Sequence, residues 1–229
     1  MLKQAATYDE LCRDFRWDIP ARFNMATACC DRHADGSGRL ALVYVDEDGG
    51  TTRTSFDEVA DASRRFANVL TADGLVRGDR VAVFLSQSLE LPVAHLAAFR
   101  AALISIPLFA LFGEDALEFR LSNSAAKAII TDEAGWEKIA KIRDRLPELK
   151  SVYIVGDETP PGTKPFWGAI KSASPDFATV DTSADDPALI IYTSGTTGNP
   201  KGALHAHRVV LGHLPMSRCA TTSCPGRAT

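Results

Sequence analysis

No apolar run in the 229 residues approaches the roughly 20 residues needed to cross a bilayer, and no stretch clusters lysine and arginine. With a formal net charge of −4, the chain is not expected to use a nucleic acid or an anionic membrane as its main partner. The five cysteines (Cys12, Cys29, Cys30, Cys219 and Cys224) contain no CxxC pair and no regular spacing, which argues against a disulfide framework or a zinc ribbon. His205, His207 and His213, even with Cys219 and Cys224 downstream, lack a recognised metal-ligand spacing, so no metal site is expected. The opening MLKQAATYDELCRDF is charged and amphipathic and has no apolar signal core. These absences together imply a soluble, unexported chain in a reducing cytoplasm, with a small molecule as partner.

What is present is a 45% hydrophobic composition, enough for a sizeable core, and an alternation of strand-like and helical segments. Leu40–Val45 and Thr51–Ser55 flank an Asp/Gly turn and predict a hairpin. Ser55 and Glu58 have capping-box spacing, and Phe56, Val59, Phe66, Val69 and Leu70 continue a helical face toward Gly74. Further strands are predicted at 80–85, 104–108, 126–131, 151–155 and 188–192, with helices at 92–103, 114–123, 133–146 and 166–172. That rhythm implies an α/β domain with a largely parallel sheet flanked by helices and an early β-hairpin. Gly36-Ser37-Gly38 precedes a strand where a dinucleotide fingerprint must follow one, so it reads as a turn. Cys29 and Cys30 sit on a predicted helix and read as packing residues, since adjacent helical positions face different ways.

Ligands of such sheets bind at the carboxyl ends of strands, where Thr193–Gly202 is expected to lie. Gly195 and Gly198 let the backbone approach a ligand, and the hydroxyls of Thr193, Ser194, Thr196 and Thr197 add donors. Pro200 restrains Asn199, and Lys201 supplies a cation, an inventory suited to a polyphosphate. The strand in front and the proline and lysine within distinguish the stretch from a flexible linker. A Walker loop is excluded because Pro200 stands where glycine is required and Gly202 where a magnesium-binding hydroxyl is required.

Tyr192-Thr193-Ser194-Gly195-Thr196-Thr197-Gly198-Asn199-Pro200-Lys201-Gly202 resembles the phosphate-loop signature of the AMP-forming acyl-adenylate synthetases. The upstream RAALISIPLFALFGEDALEFRLSNSAAKAIITD is similar to the same family's strand, helix and strand. Trp17-Asp18-Ile19-Pro20, Phe23-Asn24 and Asp31-Arg32-His33-Ala34 resemble the start of acetyl- and medium-chain acyl-CoA synthetases. The resemblance implies the N-terminal domain fold of those enzymes. It also implies ATP, Mg2+ and CoA as cofactors or co-substrates and a small-molecule carboxylate as the acid. By the same resemblance, Thr193, Ser194, Gly195, Thr196, Thr197, Gly198 and Lys201 would hold the β- and γ-phosphates. No catalytic role is assigned to any residue, His207 included.

In the family, the nucleoside contacts, the magnesium-binding acid and a C-terminal domain with the adenylation lysine follow the phosphate loop. The expectation is therefore an incomplete N-terminal AMP-binding domain over residues 1–216. Residues 217–229 then form a truncated or frame-shifted tail, too poor in apolar residues to offset the cost of ordering. Two readings stay open: an acyl-CoA synthetase by ancestry, inactive as this chain, or a non-catalytic fragment with at most a residual phosphate-binding loop. Acyl chain length and oligomeric state are not encoded in these motifs.

Overall fold

Ser55 begins helix α3 (Phe56–Ala72) as its spacing predicts: its hydroxyl accepts the Glu58 amide at 3.2 Å, and its own amide donates to the Glu58 carboxylate at 2.7 Å. Immediately before it, β1 (Leu40–Val45) and β2 (Thr51–Ser55) pair antiparallel. Asp46 closes their turn by accepting the amides of Asp48 and Gly50. Gly36 and Gly38, at φ of 81° and 69°, donate their amides to the two carboxylate oxygens of Asp57. The glycine-rich stretch is thus a turn wrapped around the first turn of α3. The computed structural model describes residues 7–46, 48–193 and 198–214; Ser194–Thr197 and the expected tail 217–229 lie outside the described residues.

The remaining strands are β3 (Arg80–Phe84), β4 (Ile104–Pro107), β5 (Ala128–Asp132), β6 (Ser151–Val155), β7 (Lys164–Pro165), β8 (Pro187–Thr193) and β9 (Lys201–Ala206). They form a seven-stranded sheet in the order β7-β6-β5-β3-β4-β8-β9, parallel throughout except for β9. β3 reads Arg-Val-Ala-Val-Phe and is buried from Val81 onward, as a strand covered on both faces must be. α3, α4 (Glu90–Arg100) and α7 (Phe166–Ser172) cover one face around Phe66, Val93, Ala97 and Phe166. α5 (Glu114–Ser124) and α6 (Glu133–Ile142) cover the other around Leu117, Leu121 and Ile139. At the amino end, α1 (Tyr8–Asp14) buries no residue, and α2 (Met25–Cys29) buries Met25 and Ala26. Cys30 joins the core while Cys29 is exposed, so only the second cysteine packs as expected. Among the described residues, no helix is long and apolar enough to cross a membrane.

Two helices end earlier than their apolar spacing implies. α4 stops at Arg100 because Ala102 turns to φ 52° and Leu103 donates back to the Ala98 carbonyl, so Leu103 is fully buried as a cap residue and not as a helical one. After α6, Arg143–Arg145 tighten into a 3-10 turn that still delivers Leu146 to the core.

The deepest charge in the fold is Arg100, which is 0% exposed. Its guanidinium grips Asp31 through two bonds of 2.7 and 2.6 Å and also donates to Ser63 and Thr179. Removing one partner of such a pair strands the other charge in a dry interior. Asp31→Ala is expected to cost about 3–5 kcal/mol in urea unfolding, and Asp31→Leu combined with Arg100→Met appreciably less.

Candidate functional site

β3 runs into a loop that enters α4 on one face, and β4 into a loop that enters α5 on the other. The carboxyl ends of these neighbours therefore splay apart and leave the crevice where α/β sheets bind ligands. β8 lies directly beside β4, so its carboxyl end at Thr193 stands one strand away from this crevice.

The return of the chain from that loop was not legible in the sequence. Lys-Gly-Ala-Leu-His-Ala has neither strong β propensity nor a clean alternation, yet it forms β9, antiparallel to β8. The register pairs Thr193 with Lys201 and Tyr192 with Gly202. Of the predicted site residues, Thr193 and Lys201 are thus brought face to face at the stem, and Gly198 lies in the intervening loop at φ 90°. Ser194, Gly195, Thr196 and Thr197 lie outside the described residues. Lys201 is exposed.

The stem is held by contacts that no motif announces. A Cβ on Gly202 would stand 3.0 Å from Ile190 Cγ2 and 3.2 Å from the Tyr192 ring, so glycine lets the aromatic ring lie across the hairpin. The Tyr192 hydroxyl donates to Asn123 at 2.7 Å, and its ring meets Phe119 edge to face, which ties the hairpin to α5. The Arg120 guanidinium lies 4.0 Å over Phe112 and 5.7 Å from the Tyr192 ring centroid.

The base of β8 is fastened as firmly. Val180 donates to the Arg100 carbonyl, Phe23 to the Thr182 carbonyl, and Thr182 Oγ1 to the Phe23 carbonyl. Asn24 Nδ2 bridges the carbonyls of Phe99 and Val180. Just past β9, fully buried His207 accepts the Met25 amide on Nδ1 at 3.2 Å, which places its proton on Nε2. His207 is therefore a latch between the hairpin's exit and α2. Between these elements and the back of β8 and β9 lies an apolar cleft of about 680 Å³, bounded by Leu96, Phe99, Leu189, Ile191 and His205. Among the described residues, no group of three His, Cys, Asp or Glu side chains converges to hold a metal.

Comparison with known proteins agrees with this architecture. The family described as AMP-binding enzyme matches residues 30–225. The acetyl-coenzyme A synthetase of Bacillus subtilis (strain 168) is 37% identical over 218 residues, covering 89% of this chain and 38% of that protein. The mitochondrial acyl-coenzyme A synthetase ACSM1 of Homo sapiens is 34% identical over 206 residues, covering 86% of this chain and 36% of that protein. The crystal structure of Brucella canis acyl-CoA synthetase matches with a TM-score of 0.83 and 30% identity over 92% of this chain and 40% of that one. The chain thus spans between about a third and two fifths of the length of these relatives.

Burial pushes His207 and His95, whose Nδ1 lies 2.6 Å from Ser105 Oγ, from 6.5 down to about 4. Between those values the unfolded chain binds protons that the folded chain refuses. The contribution is therefore complete above pH 6.5 and declines as pH falls, by up to about 3 kcal/mol for each ring. Urea midpoints measured from pH 7 to pH 5 should fall accordingly. Glutamine at both positions should flatten the slope, whatever it does to absolute stability, and an unchanged slope would refute the assignment.

Proposed function

We propose that this chain, which belongs to the AMP-binding enzyme family, grips the polyphosphate of ATP at Thr193–Gly202 as part of a ligase joining a small carboxylic acid to coenzyme A. The observation that carries the reading is the stem. The pairing of Thr193 with Lys201 holds a hydroxyl and a cation side by side at the carboxyl end of a parallel strand, beside the crevice between β3 and β4. Gly198, at positive φ with open space where a Cβ would point, lets the backbone at that position come close to an anion.

In the proposed reaction, a carboxylate oxygen attacks the α-phosphorus of ATP, and the bond to the departing pyrophosphate breaks. The sulfur of coenzyme A, having lost its proton, then attacks the acyl carbon, and AMP departs with the electron pair of the acyl–oxygen bond. Thr193 and Lys201, with Ser194, Gly195, Thr196, Thr197 and Gly198 as the remaining members of the grip, bind and neutralise the leaving pyrophosphate. Magnesium enters as part of the nucleotide substrate. Residues 1–216 act in this reading as part of the N-terminal AMP-binding domain. The rate acceleration requires the carboxylate and the α-phosphate to be held together, and oriented proximity alone is worth about 7–11 kcal/mol.

Calorimetry with ATP and with pyrophosphate tests the grip. Lys201→Ala should weaken both by about ten-fold or more without lowering thermal stability, because Lys201 is exposed. Unchanged affinity would remove the assignment. Pyrophosphate release with acetate or medium-chain acids and coenzyme A tests the ligase half: Lys201-dependent turnover identifies a complete site, and binding without turnover identifies the grip alone.

A further inference from the structure

The dipeptide Asp-Gly occurs three times, at Asp35-Gly36, Asp48-Gly49 and Asp73-Gly74. Each sets a carboxyl beside an amide that no side chain shields, and all three glycines take positive φ with open space where a Cβ would stand. The fold treats them differently. The Asp35 carboxylate accepts the Ser37 amide at 3.0 Å, and the Gly36 amide is drawn onto the Asp57 carboxylate at 2.8 Å, a charged acceptor in the first turn of α3. The Asp73 carboxylate accepts bonds from Ser151, Tyr153 and Lys164; burial opposes its charge, yet these donors hold it below its ordinary value. Gly74 belongs to the cap of α3: its amide donates to the Thr71 carbonyl, and the next residue, buried Leu75, donates to the Leu70 carbonyl. Asp48 has no such restraint on its side chain. It is exposed at the tip of the β1–β2 hairpin, and its carboxylate accepts no hydrogen bond among the described residues. The Gly49 amide makes one bond, of 3.1 Å to the Asp46 carbonyl, inside a turn that continues with a second glycine, and Val45 at the base of that turn is 59% exposed. Such a bond opens with the turn and not with the core.

We propose that Asp48-Gly49 is a modification site, the position at which this chain's backbone isomerises through a succinimide to isoaspartate, and thereby a substrate for an isoaspartyl-specific carboxyl methyltransferase. The Gly49 nitrogen, on losing its proton, attacks Cγ of the protonated Asp48 carboxyl. The C–N bond forms, the C–O bond breaks, and the hydroxyl leaves with a proton as water. Water then adds to either carbonyl of the succinimide ring. Opening at the main-chain carbonyl routes the backbone through Cγ, adds a methylene to the turn and leaves a free α-carboxylate, the group that the methyltransferase esterifies. One water departs and one returns, so no further reactant is needed. The added methylene spreads the amides of Asp48 and Gly50 that Asp46 now holds together, while the ladder from Tyr44 and Thr52 inward lies outside the altered turn.

The test keeps the full chain at neutral pH in water enriched in heavy oxygen, which enters the carboxyl each time the ring reopens, and locates the label by peptide mass spectrometry. Methylation by an isoaspartyl methyltransferase with labelled S-adenosylmethionine reads the same event independently. In the folded chain, label at Asp48 should accumulate at least about ten-fold faster than at Asp35 or Asp73, and the three rates should converge in urea. Label at Asp35 or Asp73 that equals or outpaces Asp48 overturns the proposal. So does an Asp48 preference that survives unfolding, since the fold is then not its cause. Asp57→Ala, which releases the Gly36 amide, should raise labelling at Asp35 and leave Asp73 unchanged; unaltered labelling at Asp35 in the folded variant refutes the restraint on which the selectivity rests. Asp48→Glu, whose ring closure is slower because the ring is larger, should remove both heavy oxygen and methyl acceptance from the hairpin peptide. Methyl acceptance that persists there places the isomerisation at another residue and overturns the assignment.

Discussion

Arg100 in the interior is the constraint around which the rest of the molecule is arranged. A guanidinium with no exposure must find a carboxylate and further acceptors, and the partners it finds come from distant parts of the chain: Asp31 beyond α2, Ser63 on α3 and Thr179 in the approach to β8. The same residue's carbonyl accepts the Val180 amide. One buried charge therefore sets the position of the amino-terminal segment, the helix layer and the strand that leads into the proposed phosphate grip. The hydrophobic faces of α3 and α4 supply most of the burial, but they would tolerate small shifts that the paired fork does not.

Loop and scaffold are accordingly built on different principles. The sheet beneath is apolar and covered on both faces, while the hairpin stem at its carboxyl end is polar at Thr193 and Lys201 and braced from below by aromatic rings. Bracing by Tyr192, Phe112 and Phe119 gives a glycine-containing loop two fixed ends. The entropy of ordering the intervening residues around a ligand is then smaller than for a loop whose ends are free to separate.

Local patterns were the legible part of the sequence. The capping box at Ser55 and Glu58, the Asp/Gly turn before β2 and the apolar cores of β3, β5 and β6 depend on neighbours within a few residues, and the chain states them directly. The ends of α4 and α6 were overrun because Leu103 and Leu146 are buried by a cap and by a 3-10 turn, which preserve apolar spacing while abandoning the helix. β9 was invisible because its residues are strand-like only in the presence of β8. At the site, the loop's residue types could be read, but the roles of Arg120, Tyr192 and His207 depend on contacts reaching across 72 and 182 positions, beyond any local period. The loop-flanking glycine could have offered a hint: Gly202 directly after Lys201 permits a close aromatic approach.

The register of the hairpin also sets which changes of length the chain could absorb. Thr193 and Lys201 are fixed to one another by the ladder, so residues added to or removed from the intervening segment change its length without moving either post. A single residue inserted within β9 behaves differently: side chains alternate faces with a period of two, and everything on one side of the insertion would turn over relative to β8. Lys201 would then trade places with a neighbour on the opposite surface, or Tyr192 would lose the glycine that admits its ring. Over evolutionary time, lineages should therefore vary in the span of the loop far more readily than in the spacing between Lys201 and His207, whose imidazole fixes the far end of the strand.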